Sequence, residues 1–209
     1  LHEPYRRQRQ MCIRDSTYIY SSLFSYFVMS KYTTNEEESQ CLPNRLGLTR
    51  PGEIAEAEFE GFLLAEIMLT ETLTTATRFD CQYIRNIHKL ALKELYTFAG
   101  RYRTVNMSKG GFLFPSALFI PQSMQFFEDE ILKKLPDTYP DKASLAKDVA
   151  IVHGELLFIH PFREGNGRTA RILANLMVRK QGYEGLRFDK IHFRAVSYTH
   201  LEPTRLLSI

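Results

Sequence analysis

A short polar break at residues 160–167 (HPFREGNG) separates two of the most apolar helical runs in this 209-residue chain. Before it, Lys142–Ile159 carries apolar residues at spacings of three and four. After it, Ile172, Leu173, Leu176 and Met177 resume the same period until Gly182, which reads as the C′ residue of a helix. The break is therefore read as a loop between two helices.

The rest of the interior is organised in the same way. Pro51 suits a first helical turn, and Ile54, Phe59, Leu63, Ile67 and Leu69 recur at mostly helical spacing up to about Thr72. Asp80 is the expected N-cap of a second helix with Ile84, Ile87, Leu90, Leu92 and Leu95 as its core positions. Between Gly100 and Pro121 the period is lost, and two extended runs joined at Gly110 and Gly111 read as a β-hairpin. Met124–Leu135 is expected to form another helix, set off from Lys142–Ile159 by Pro136 and Pro140. The expected fold class is mainly α, with one hairpin and no internal repeat.

Composition narrows the partners. With 27 basic against 24 acidic residues and a net charge of +3, no electrostatic footprint for nucleic acid is present, so none is expected as a partner. Cys12, Cys41 and Cys81 match neither a disulfide framework nor paired zinc ligands, which suits a reducing, cytoplasmic setting. Tyr18–Met29 is broken by serines and shorter than the roughly 20 residues of a membrane span, so no membrane partner is expected. Residues 6–16 and Val196–Leu201 have no periodicity and resemble translated sequencing-adapter read-through. Residues 1–16 and 196–209 are accordingly set aside as non-native, 17–43 as an irregular lead-in, and 44–195 as the domain.

The chemistry concentrates in HPFREGNGRTAR, residues 160–171. Gly165 and Gly167 around Asn166 leave backbone N–H groups able to approach a ligand, at the start of a helix whose dipole favours negative charge. Arg168 and Arg171, three apart, share a helix face and can reach one polyphosphate. Glu164 suits a magnesium ion, which takes one or two carboxylates plus substrate phosphates. His160 is a proton acceptor near neutral pH, and Phe162 an apolar anchor for the loop.

This run resembles, position for position, the signature of the Fic family: His, any residue, Phe, any residue, Asp or Glu, Gly-Asn-Gly-Arg, two residues, Arg. NRLGLTRPGEIAEAE (44–58) and YTFAGRYRTVNMSKGG (96–111) are similar to the lead-in and pre-flap segments of bacterial cell-filamentation Fic proteins. The resemblance implies a Fic-type helical bundle with a hairpin flap, transferring AMP from ATP with Mg²⁺ to a Tyr, Ser or Thr hydroxyl of a target protein. It gives His160 the role of base, Glu164 that of metal holder, and Gly165, Asn166 and Gly167 that of an anion nest. Arg168 and Arg171 would steady the β- and γ-phosphates, and Lys109, Gly110, Gly111 and Phe112 would form a target-binding flap.

Regulation in the family often uses a helix carrying Ser or Thr, three residues, Glu, and Gly or Asn. TNEEES (34–39) and EAEFEG (56–61) each miss that pattern at one end, so a separate antitoxin, as in toxin-antitoxin relatives, is the expected inhibitor. Doc-like phosphate transfer and removal of AMP are alternatives on the same site. Gly167, where Doc kinases tend to carry lysine, favours AMP transfer. A nucleotide-binding module without turnover is disfavoured by the complete motif. A zinc hydrolase is disfavoured by the wide spacing of His153 and His160.

Overall fold

The computed structural model describes residues 33–34, 41–109 and 111–188. The expectations for residues 1–16, Tyr18–Met29, Gly110 and 196–209 lie outside these. The elements below belong to one unit, Tyr32–Leu186.

Helix α1 spans Pro51–Glu71 and has proline in its first turn. Just before it, the Asn44 side chain folds residues 44–48 into a turn by accepting from the Leu48 N–H at 2.9 Å and donating to the Leu48 carbonyl at 2.7 Å. Its inward face is Ile54, Glu58, Phe62, Ala65 and Leu69. This corrects the expected face, because Phe59, Leu63 and Ile67 are only half-buried. Glu53, Glu56 and Glu60 lie away from the core, whereas the carboxylate of Glu58 is buried on the inward face where the pattern favoured an apolar residue.

Helix α2, Cys81–Leu92, is capped by Asp80, whose carboxylate accepts from the Tyr83 N–H at 2.6 Å. Ile84, Ile87, His88, Ala91 and Leu92 are buried, while the expected core residue Leu90 is half-buried. Gly61 permits the close crossing of α1 and α2, since a Cβ there would lie 2.0 Å from the Ala91 carbonyl oxygen.

The hairpin is present as β2, Met107–Lys109, and β3, Phe112–Leu113, with Lys109 opposite Phe112. A short strand β1, Thr33–Thr34, pairs antiparallel with the other edge of β2, giving the order β1-β2-β3. Helix α3 covers Ile120–Glu130 and a separate 3₁₀ turn covers Leu132–Lys134. It starts four residues earlier than expected because Pro121 occupies the first turn, and it breaks at Ile131, where φ is −120°.

Helix α4 covers Lys142–Ile159, as the period predicts, and Asp141 caps it through the Ser144 N–H at 2.8 Å. Helix α5, Asn166–Lys180, packs on α4, α1 and α2 and is buried on most of its surface. It ends in a Schellman motif at Gly182, where φ is +83°. The Gly182 N–H bonds to the Arg179 carbonyl at 2.9 Å, and the Tyr183 N–H to that of Val178 at 3.4 Å. No helix among the described residues is long and apolar enough to cross a membrane.

Candidate active site

The loop between α4 and α5 begins at His160, which takes a left-handed conformation with φ 52° and ψ 58°. A non-glycine residue held there is strained, and neighbours on both sides over-determine it. The buried Arg103 donates from Nε to the His160 carbonyl at 2.7 Å, and its backbone N–H donates to the Pro161 carbonyl at 2.8 Å. Arg103 also donates from its guanidinium to the Val105 carbonyl at 2.8 Å, tying the loop to the approach of the hairpin.

The His160 ring lies 2.9 Å from the Leu157 carbonyl through Nδ1. A carbonyl only accepts, so Nδ1 carries the proton and Nε2 keeps the lone pair. Phe114 stacks on the imidazole at 3.8 Å with 18° between planes. Burial pushes the imidazole down to about 4; Arg103 and Lys109 act in the same direction, and the Leu157 carbonyl opposes them. His160 is thus a neutral base at neutral pH.

Phe162 is fully buried and stacks on His88 at 3.9 Å with 13° between planes. Asn166 clamps it from both sides, accepting from the Phe162 N–H at 2.8 Å and donating to the Phe162 carbonyl at 2.7 Å. The asparagine side chain is therefore occupied in holding the loop, and only its backbone is placed to join an anion nest. Gly165, at φ +76°, leaves no room for a side chain, since a Cβ would lie 2.7 Å from Phe62 Cζ. At the N-terminus of α5 the first N–H groups, including those of Asn166 and Gly167, have no acceptor within the helix. The Arg171 guanidinium lies over Gly167, 3.8 Å from where a Cβ would stand.

Arg168 corrects an expectation. Expected to reach one polyphosphate together with Arg171, it turns into the core, 2.7 Å from Glu58 and 3.4 Å from Glu164, over the Phe62 ring at 4.6 Å. Glu58 also accepts from the Tyr96 hydroxyl at 2.6 Å, so the guanidinium belongs to a buried network with Glu58, Glu164 and Tyr96. The Glu164 carboxylate accepts from the Gly165 N–H at 2.8 Å. Burial first, then the charge of Glu58, push its carboxyl above the ordinary range, against Arg168 and Lys109.

Among the flap residues, Phe112 contacts the ring of Phe158 at 6.2 Å, and Gly111 takes φ +84° at the turn. The charge of Lys109 is felt by both His160 and Glu164. Sequence reasoning missed Arg103, Phe114, His88, Glu58 and Tyr96. For Glu58 a signal existed: it lies four residues from both Ile54 and Phe62, on the stripe that faces inward.

Residues 78–178 match the Fic/DOC family. The chain belongs to the Fic/DOC family. It is similar to the protein adenylyltransferase VbhT of Bartonella schoenbuchensis, 26% identical over 172 residues, covering 80% of this chain and 34% of that protein. It is also similar to the protein adenylyltransferase fic-1 of Caenorhabditis elegans, 37% identical over 112 residues, covering 52% of this chain and 20% of that protein. The chain thus spans about a third or less of the length of these relatives. Among solved structures, BepC from Bartonella tribocorum with bound AMPPNP superposes with a TM-score of 0.65 at 19% identity, covering 78% of this chain and 84% of that one. Within the Fic domain so defined, His160 through Arg171 fall inside the matched segment. Glu58 and Phe62, which support Arg168 and Gly165, reach the Fic loop from α1, outside it.

Proposed function

We propose that this chain transfers AMP from ATP to a hydroxyl of a target protein. The observation that carries the reading is the His160 imidazole, whose Nδ1–H is committed to Leu157, leaving Nε2 as a neutral base at the start of the loop that leads into α5. The relatives' shared name and the ATP analogue bound to BepC support ATP as the nucleotide.

In this mechanism the target oxygen attacks the α-phosphorus while His160 Nε2 takes its proton, and the bond from the α-phosphorus to the bridging oxygen breaks to release pyrophosphate. Backbone N–H groups of Asn166 and Gly167 and the guanidinium of Arg171 receive the phosphates, while the Gly165 N–H is held by the Glu164 carboxylate. Arg168, locked to Glu58, holds Glu164 in place instead of reaching a phosphate. Glu164 is a single carboxylate at the loop, and among the described residues no group of three or more His, Cys, Asp or Glu forms a metal cage. That donor set fits Mg²⁺ arriving with substrate phosphates, which would supply charge neutralisation there. Lys109, Gly111 and Phe112 would line the flap; because β1 covers one edge of β2, a target strand would add to the outer edge of β3.

The test is transfer from ATP labelled on the α-phosphate, with magnesium and a host-cell lysate, comparing wild type with His160→Ala. Protein labelled only by the wild type supports the proposal. Transfer of γ-label alone would establish phosphate transfer instead, and transfer of neither label would remove the reading.

A further inference from the structure

Behind the loop, His88 is fully buried on α2 and bonds in opposite senses through its two nitrogens. Nδ1 accepts from the Gly100 N–H at 2.8 Å. The proton must then sit on Nε2, which donates to the Glu164 carbonyl at 2.9 Å. The ring face is packed on Phe162 at 3.9 Å, so the imidazole touches the loop at both Phe162 and Glu164. Gly100 takes φ +74° and is itself held by Arg85, which donates from Nε to its carbonyl at 2.9 Å. One side of His88 is thus a fixed backbone anchor, and the other is the residue that would hold magnesium.

We propose that His88 is a positioning residue that sets Glu164 through the Nε2–H bond to its backbone carbonyl, transmitting the rigid Gly100 turn to the metal-holding position. The inference rests on the reading of Glu164 given above. The bond constrains the peptide carrying Glu164, whose side chain starts one atom away. Losing the bond lets the carboxylate shift while the Phe162 anchor stays in place. Only a group that donates at the Nε2 position serves this purpose, and the Nδ1 bond serves the fold.

Two amide substitutions separate these bonds. His88→Gln places its amide near the Nε2 position and can donate to Glu164; His88→Asn places its amide near the Nδ1 position and can accept from Gly100. A buried carbonyl left without its donor shifts an equilibrium by about 5- to 100-fold. Binding of ATP is measured by calorimetry with and without magnesium, alongside melting of each variant. The expected result is that His88→Asn weakens ATP binding about 10-fold or more with magnesium and little without it, while His88→Gln stays close to wild type and both melt within a few degrees of each other. Equal loss in both variants, or loss in His88→Asn that is the same without magnesium, overturns the proposal. Should either variant fail to fold, nitrogen NMR of wild-type histidines decides it: protonation of His88 at Nε2 supports the assignment, and protonation at Nδ1 refutes it. Binding is read without any transfer, so wild type that binds magnesium and ATP but labels no protein would defeat the AMP-transfer reading and leave this one standing on its own result.

Discussion

Replacing Glu58 by alanine opens the buried network that carries Arg168. Glu58 and Arg168 side chains are only 8% and 10% exposed, and their contact at 2.7 Å is the shorter of the two ion pairs the guanidinium makes. Removing one partner of a buried pair costs about 3–5 kcal/mol because the other charge stays desolvated. The Tyr96 hydroxyl also loses the acceptor it holds at 2.6 Å, a further loss of about 1–3 kcal/mol. The two losses overlap, and Arg168 retains Glu164 at 3.4 Å and the Phe62 ring at 4.6 Å, which soften the first. A net destabilisation of about 4 kcal/mol follows, equivalent to a fall of about 8–16 °C in Tm for a chain of this size. Urea unfolding of Glu58→Ala, Arg168→Met and the double variant forms a thermodynamic cycle. The double variant should be less destabilised than the sum of the single variants by about 2–3 kcal/mol, since removing both charges leaves none stranded. A loss under about 1 kcal/mol for Glu58→Ala, or strict additivity, would refute the network.

Gly61→Ala should destabilise by about 3 kcal/mol or more in urea melts, because a Cβ set 2.0 Å from the Ala91 carbonyl forces α1 and α2 apart; a variant as stable as wild type would show that the crossing is looser. Gly165→Ala combines a left-handed φ of +76° with a contact of 2.7 Å to Phe62, so about 2–4 kcal/mol should be lost together with ATP binding; calorimetry showing intact binding contradicts this. His160 and His88 are both lowered from 6.5 to about 4 by burial, so on acidification the unfolded chain takes up protons first and stability falls between those values, by up to about 3 kcal/mol for each. Glu164, raised by burial, works in the opposite sense, so the check is difference-based: the pH dependence of melting should be shallower in His160→Ala than in wild type. Phe114→Ala uncovers the His160 ring and should move the acid limb of kcat/KM upward from about 4 toward 6.5; an unmoved limb would mean that the stacked ring does not set the base.

How much was legible can be argued from the loop itself. His160, Phe162, Glu164 and the glycines lie within a few residues of one another, so their residue types expose their chemistry without any fold. Helix limits were equally legible where caps or period marked them, as at Asp80, Lys142 and Gly182. They failed where a single proline moved the start of α3 to Ile120, and in α1 the limits held but the inward face was misplaced, with Glu58 buried on it. Spacing alone also put Arg168 and Arg171 on one face, reaching one polyphosphate. Helical spacing of three fixes only the separation of side chains along a helix surface, whereas direction is decided by what each guanidinium can pair with.

The supports of the site were hidden because each is made by partners far apart in the chain. Arg168 meets Glu58 across 110 positions, His88 meets Glu164 across 76, and Arg103 meets His160 across 57. Each supporting residue also has an unremarkable local reading: Glu58 as a solvated helix charge, His88 as a core histidine, Arg103 as a loop cation. What separates them from those readings is burial combined with hydrogen bonds, and burial is settled only when α1, α2 and the hairpin approach close on the same twelve residues. A polar group so enclosed must be paired, or it costs the fold more than its neighbours contribute. The motif can therefore hold a strained histidine and a desolvated glutamate only inside this shell, so substitutions in the shell should alter the geometry of the loop before they alter its chemistry.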